Sequence, residues 1–523
     1  MANTGNKTLA KNASMLYIRM LVSMAISFYT SRLVLQALGV SDYGIYNLVG
    51  GIIVLINSIT SSLSNATSRY LTYSLGTNDE VFCRRTFSTA FYIHLGISFL
   101  FLLVAESLGV WFINTQLSIS PDRMVATNWV YQASLLSTFL GITQVPYNAT
   151  ITAHERFDVF AYIDILTSLL KLGITILVLY LTVDHLIAYS VLYVLVSICV
   201  MLFYHFYCVA HFTETRIGRF DRNILGEMMT FSLWSFFEGS SLTVSQQGQN
   251  ILLNRWFGTI INAAVGVSSQ LGATIYAFIG NITTAFKPQI IIAYAQGDYK
   301  RINELIKFGT QAASIFILLI TIPVIVNLPY LMHLWLKEVP DGAVEITTII
   351  LCINFFNSFN PMTYTAVAAT GKIRNLSIFS GLIYIARLLL VYIVLRITGS
   401  YLLVFAFGFF TTTSTCLLYA YCLKNSVSEF NIRIFYLHTI LPLLAIALIC
   451  GGIVWGVTVL LPEGFLRLLL TTPLAMALVA LLAYYVVLDV STRKICMSIV
   501  KNRILGRICN CFGSIANRED NPT

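Results

Sequence analysis

Apolar runs of about 20 residues recur from one end of the chain to the other, with short polar turns between them. None shows the strict apolar/polar alternation of a barrel strand, and backbone groups in hydrocarbon must pair within their own segment, so the runs predict helices. Their starts fall near Ala13, Tyr43, Phe87, Val125, Val159, Leu186 and Leu225, then Ala263, Leu305, Ala343, Leu376, Leu402, His438 and Leu466. The predicted fold class is an all-α polytopic membrane protein of about fourteen transmembrane helices.

Polarity inside these runs is uneven. Phe231 to Gly258 is long enough to span a bilayer, yet it carries Glu238, Gln246, Gln247, Gln249, Asn250 and Asn254 among several hydroxyls. At 100° per residue, Phe237, Val244, Ile251 and Leu252 share one narrow sector suited to lipid, while most other directions are polar. Asn47, Ser58, Ser61, Asn65, Ser68 and Thr72 form a face on the second helix, with Arg69 beside it. Asn12, Arg19, Ser23, Ser27 and Thr30 do so on the first, and Gln270, Thr274, Asn281 and Thr284 on the eighth. Interhelical hydrogen bonds, each about 0.6 kcal/mol in a membrane, account for Ser and Thr at such places. The other reading is the wall of a polar cavity.

Composition narrows the class. Of 523 residues 57% are hydrophobic and 11% charged, which excludes an ordinary soluble domain. The polar opening MANTGNKTLAKNAS lacks the layout of a cleavable signal, so the first helix reads as a permanent span. The net charge of +9 follows alternate loops. Lys7, Arg84, Arg85, Arg156, Arg216, Arg219, Lys300 and Lys372 fall in one set, and Arg123 and Lys337 nearly alone in the other. This asymmetry predicts cytoplasmic termini and explains the charge without nucleic acid. The ten cysteines are scattered, and Cys509 and Cys511 have no partner ligands nearby, so neither a disulfide framework nor a metal or other cofactor is expected.

The chain also repeats itself. LGVSDYGIYNLVGG opens the second helix and FGTIINAAVGVSSQ the eighth. Tyr73 aligns with Tyr294, Gly76 with Gly297, Pro146 with Pro361, and Lys171 with Arg387. The expected organisation is an N-lobe of helices 1–6 (1–215) and a C-lobe of helices 7–12 (216–424). Helices 13 and 14 (425–488) and a basic cytoplasmic tail (489–523) follow, the tail reading either as an amphipathic surface helix or as weakly ordered chain. Six helices per repeat make the halves parallel, with a substrate path between them.

A basic side chain at mid-membrane costs roughly 2.5–3.5 kcal/mol and usually faces a cavity or a partner. Arg19, Arg32, Arg69, Lys171, Arg255, Lys287 and Arg387 lie within or near spans, against the acids Glu106, Asp164 and Glu238. That excess suits an anionic ligand. Asn65 and Gln249 add polar contacts to the same candidate set. The acids are candidates for coupling to H⁺ or Na⁺. Glu238 has Ser241, Ser245 and Gln249 on its face, with structural pairing as the alternative, and Asp164 is equally placed to pair with Lys171.

SRLVLQALGVSDYGIYNLVGG, residues 31 to 51, resembles the start of Wzx-type polysaccharide and O-antigen flippases. These belong to the multidrug/oligosaccharidyl-lipid/polysaccharide flippase superfamily. The resemblance implies alternating access in a bacterial inner membrane, carrying undecaprenyl-diphosphate-linked oligosaccharide units to the periplasmic leaflet. It implies lipid-linked oligosaccharide and membrane lipids as partners, with polysaccharide polymerase machinery nearby, and no enzyme activity. Arg19, Arg32, Arg69 and Arg255 fall where relatives carry basic residues, whereas the eighth helix has INAAVG in place of Asp-Tyr-Gly. Multidrug and peptidoglycan-precursor exporters of the superfamily are rivals. A sugar polymerase or ligase is another, although the loop around Leu328 to Val344 is short for a catalytic one.

Overall fold

A helix closes its backbone hydrogen bonds within one segment, which suits a chain this apolar. The computed structural model describes residues 2–116, 120–336, 339–427, 429–487 and Arg493; among them there are helices and turns and no strand. The first half holds α1 (Ala2–Gly76), α2 (Glu80–Val104), α3 (Val110–Gln116), α4 (Pro121–Ala153), α5 (Phe157–Leu179) and α6 (His185–His211). The second holds α7 (Arg222–Ala295), α8 (Tyr299–Val326), α9 (Leu328–Trp335), α10 (Ala343–Asn357), α11 (Asn360–Ala369), α12 (Arg374–Thr398) and α13 (Tyr401–Ser426). After them come α14 (Ile432–Phe435), α15 (Leu441–Val459) and α16 (Phe465–Leu482). Helices α15 and α16 pack on each other and on α8.

Two of these helices each supply two arms. In α1 the break is at Gly39, whose φ of 76° and ψ of 169° are open to a residue without Cβ. The 74 residues of α7 would extend over roughly 110 Å if straight. Gln249 and Lys287 nevertheless line one cavity, so its arms fold back toward each other. Aspartates set several starts: the carboxylates of Asp79, Asp184, Asp221 and Asp298 accept first-turn N–H groups of α2, α6, α7 and α8.

Among the described residues nine helices are long and apolar enough to cross a membrane, ten if α10 and α11, bent by 42°, are one span. The second arm of α1, α4 and both arms of α7 stand outside that set and make up the predicted fourteen. They are the polar passes, and polarity is tolerable where neighbouring helices shield a pass from lipid. Of the sector predicted to face lipid on α7, Val244 and Ile251 are exposed, 58% and 69% accessible, whereas Leu252 is half-buried against a core cluster. The protein is a multi-pass membrane protein.

Helices α1 and α7 share the most extensive helix–helix contact. At one end, residues aligned by the internal repeat meet: the rings of Tyr73 and Tyr294 lie 6.5 Å apart. A Cβ on Gly76 would stand 2.7 Å from that of Ala295. The repeat is less regular at its prolines, since Pro146 lies inside α4 while Pro361 opens α11 after the bend. The basic tail, apart from Arg493, and Cys509 and Cys511 lie outside the described residues.

Candidate functional site

Polar side chains on adjoining helices leave a hollow when their helices diverge, and the structure contains one of about 790 Å³. Its walls come mainly from α7, α10, α11, α12 and α13, with Asn65 and Arg69 reaching it from the second arm of α1. The cavity thus lies mostly within the second half rather than between the halves, where a substrate path was expected. Three cations line the cavity, Arg69, Lys287 and Arg387, and no Asp or Glu does among the described residues.

Each cation is held differently. Arg387 donates through Nη2 to Oε1 of Gln249, while its buried Nε has no hydrogen-bond partner. The Nζ of Lys287 donates to Oδ1 of Asn65 at 3.2 Å. Arg69 spans the halves: its Nε and Nη2 donate to the carbonyl of Ala369 at 3.2 and 2.9 Å. Its guanidinium also covers the rings of Tyr70 and Tyr73, 4.3 and 4.9 Å away. A Cβ at Gly371, whose φ is +77°, would come within 2.8 Å of that guanidinium, so glycine admits the approach.

Glu238 stands one side chain behind the cavity wall. Its carboxylate accepts from Ser377 Oγ at 3.2 Å and from the hydroxyl of Tyr419 at 3.1 Å, and Tyr419 lines the cavity. These partners come from α12 and α13 rather than from Ser241, Ser245 and Gln249 on its own face. A carboxylate so placed can release or take up a proton or cation behind a hydrogen-bonded screen.

The remaining candidates lie elsewhere. Asp164 pairs with Arg19 Nη1 at 3.6 Å and accepts from Ser23 Oγ at 2.9 Å, not with Lys171 as its spacing suggested. Lys171 instead places its ammonium over the Tyr193 ring at 4.7 Å, because its side chain points toward α6. Arg19 also covers Phe160 at 4.7 Å. Arg32 and Arg255 are exposed, and Glu106 is exposed and accepts from Gln132 at 3.1 Å. Of the named candidates, Asn65, Arg69, Gln249, Lys287 and Arg387 are brought together.

Sequence reasoning missed the aromatic and amide part of the wall. Tyr276, Tyr364, Tyr384 and Tyr419 line it, with Asn354 and Asn360 bonded to Gly272 O at 2.9 Å and Thr415 Oγ1 at 3.2 Å. The cluster FNSFNP, rich in amides inside an apolar run, was the available signal.

No family model matches the sequence, and no curated protein matches it. Solved structures do match its architecture. A MATE transporter in the bent conformation superposes with a TM-score of 0.70 at 14% identity, over 81% of this chain and 99% of that one. The outward-facing form of a multidrug resistance MATE family transporter of the MOP superfamily gives 0.69 at 14%, over 81% and 97%. A MOP superfamily transporter from Pyrococcus furiosus gives 0.68 at 13%, over 81% and 96%. In that transporter the reverse polarity of the binding pocket suggests a different function. The chain has the fold of the MATE transporters of the MOP superfamily.

Proposed function

We propose that this protein is a membrane transporter that moves an amphiphilic anion across the bilayer by alternating access, without changing a covalent bond. The observation that carries the reading is the cavity's charge, since Arg69, Lys287 and Arg387 line it with no facing carboxylate among the described residues. Guanidinium and ammonium groups replace the water around a phosphate or carboxylate, which makes entry of such a group favourable. The cavity's tyrosines and amides suit sugar rings and hydroxyls. The finer reading is therefore a flippase for undecaprenyl-diphosphate-linked oligosaccharide units, the prenyl chain remaining in lipid. Entry of H⁺ or Na⁺ at Glu238 would drive it. On this reading the membrane is the bacterial inner membrane, with cytoplasmic termini and polysaccharide polymerase machinery downstream.

A second reading is export of small molecules. The structural likenesses back it more directly than the flippase, because a multidrug resistance transporter is among them. The Pyrococcus furiosus transporter, described as having reverse pocket polarity, shows that this fold accommodates other cavity charge. One experiment separates the readings: reconstitute the protein in vesicles with an imposed proton or sodium gradient. Then compare movement of a fluorescent prenyl-diphosphate sugar, a lipophilic cation and a lipophilic anion. Movement of the diphosphate supports the flippase. Movement of the cation alone removes the anionic reading, and movement of the small anion alone replaces the flippase with an anion exporter.

A further inference from the structure

Away from the transport cavity, a second hollow of about 570 Å³ lies where the start of α2 meets the connection between the halves. Four arginines line it, Arg84 and Arg85 from α2 and Arg216 and Arg219 from the connection. Topology asks for positive charge on this face but not for four guanidinium groups around one hollow. Two acids also line it. Glu214 is engaged by Nε2 of His154, leaving Glu80 as the acid without such a partner.

The connection is not slack chain. Arg84 Nε donates to the carbonyl of Arg216 at 3.0 Å, the Gly218 N–H to Ser88 Oγ at 2.7 Å, and the Asp221 N–H to Thr89 Oγ1 at 3.0 Å. A Cβ on Gly218 would press against Arg84 and Ser88 at 3.2 to 3.3 Å, so glycine permits this lacing. Holding like charges together costs free energy that a bound anion offsets. Ile217 and Phe220, beside the arginines in sequence but outside the hollow's lining, are 50% and 48% accessible, Phe220 with its ring against Tyr92 at 6.2 Å.

We propose that this hollow is a phosphate-binding site at the membrane surface, filled by the headgroup of an anionic lipid or by a free phosphate compound. Planar guanidinium groups pair with phosphate oxygens through two parallel hydrogen bonds.

The test uses the full-length protein in neutral detergent and follows its thermal transition while short-chain phosphatidylglycerol, short-chain phosphatidylcholine or inorganic pyrophosphate is added. A rise with phosphatidylglycerol alone supports a lipid headgroup. A rise with pyrophosphate as well supports a phosphate site open to soluble ligands. In R85Q/R219Q the apparent affinity should fall by at least about tenfold, as expected for lost charge-assisted hydrogen bonds. If that variant does not fold, the single R85Q and R219Q variants should each show a smaller loss. No response to either phosphate, an equal response to phosphatidylcholine, or unchanged affinity in folded variants would overturn the site. The transport cavity is untouched by these substitutions, so either result leaves the transport reading standing.

Discussion

Lys171 and Arg387 occupy matching places in the two halves, in α5 and α12, yet they do different things. Lys171 is spent on a ring, its ammonium over Tyr193. Arg387 reaches Gln249 at the cavity and keeps a buried Nε without a partner. The contrast extends to neighbours. In the first half Arg19 pairs with Asp164, and Arg123 bridges Asp42 and Asp184. In the second, Lys287 and Arg387 have amide partners and open space. A cation can be neutralised by a carboxylate, as Arg19 and Arg123 are, or left with amide partners at the cavity, as Lys287 and Arg387 are, and Arg69 is the first-half cation that joins the second group. Near sequence symmetry thus carries different local partners.

The sharpest way to break that comparison is to remove one cation from each half. Arg387→Ala should cut transport at least about tenfold, the expected loss of a charge-assisted contact to an anion, whereas Lys171→Met should leave transport nearly unchanged. Equal losses in vesicle uptake would mean that Lys171 contacts the substrate as well. Glu238→Gln comes next. Coupling should weaken, so that uptake no longer rises with the imposed ion gradient while downhill movement persists; retained gradient dependence would make Glu238 a structural residue. The carboxylate-paired cations of the first half predict a stability effect instead. Arg123→Ala leaves Asp42 and Asp184 without their shared partner and should destabilise the protein by about 1–3 kcal/mol, with transport per folded molecule preserved.

A smaller effect concerns the junction of the halves. Gly76→Val would drive a side chain into Ala295, so cysteines at Tyr73 and Tyr294 should cross-link less efficiently than with Gly76 present. Undiminished cross-linking would show that the junction yields elsewhere.

The smallest expected change is at Glu155, in the turn between α4 and α5, whose carboxylate accepts from Gln289 Nε2 at 3.2 Å. Burial raises its pKa above the ordinary carboxylate value, with the Gln289 hydrogen bond opposing that shift. A raised acid pKa means that the folded state holds the proton more tightly than the unfolded chain. Stability contributed by this group is then lost as pH rises from the ordinary carboxylate range through the raised value. Glu155→Gln should therefore raise the melting temperature slightly at neutral pH and not below pH 4, as thermal scans at both values would report.

Much of the architecture was legible because hydrocarbon imposes simple rules. Run length and absence of alternation specify helices, and alternating loop charge organises them into passes. The repeat was visible as paired motifs, and the Tyr73–Tyr294 alignment became a ring contact. The cavity's cations were nameable because a charge at membrane depth is expensive enough to stand out. The tyrosines were not, since a tyrosine in an apolar run is as much at home in a core as at a cavity wall. Nor could spacing on α5 decide whether Asp164 pairs with Lys171 or with Arg19. Helix periodicity states which residues share a face, whereas the neighbour opposite that face is chosen by how helices pack. The sequence alone therefore determined that the chain spans the membrane as helices in two related halves with surplus positive charge. Only the tertiary structure decided which charges meet a carboxylate and which face the cavity, because pairing depends on contacts between segments far apart in the chain.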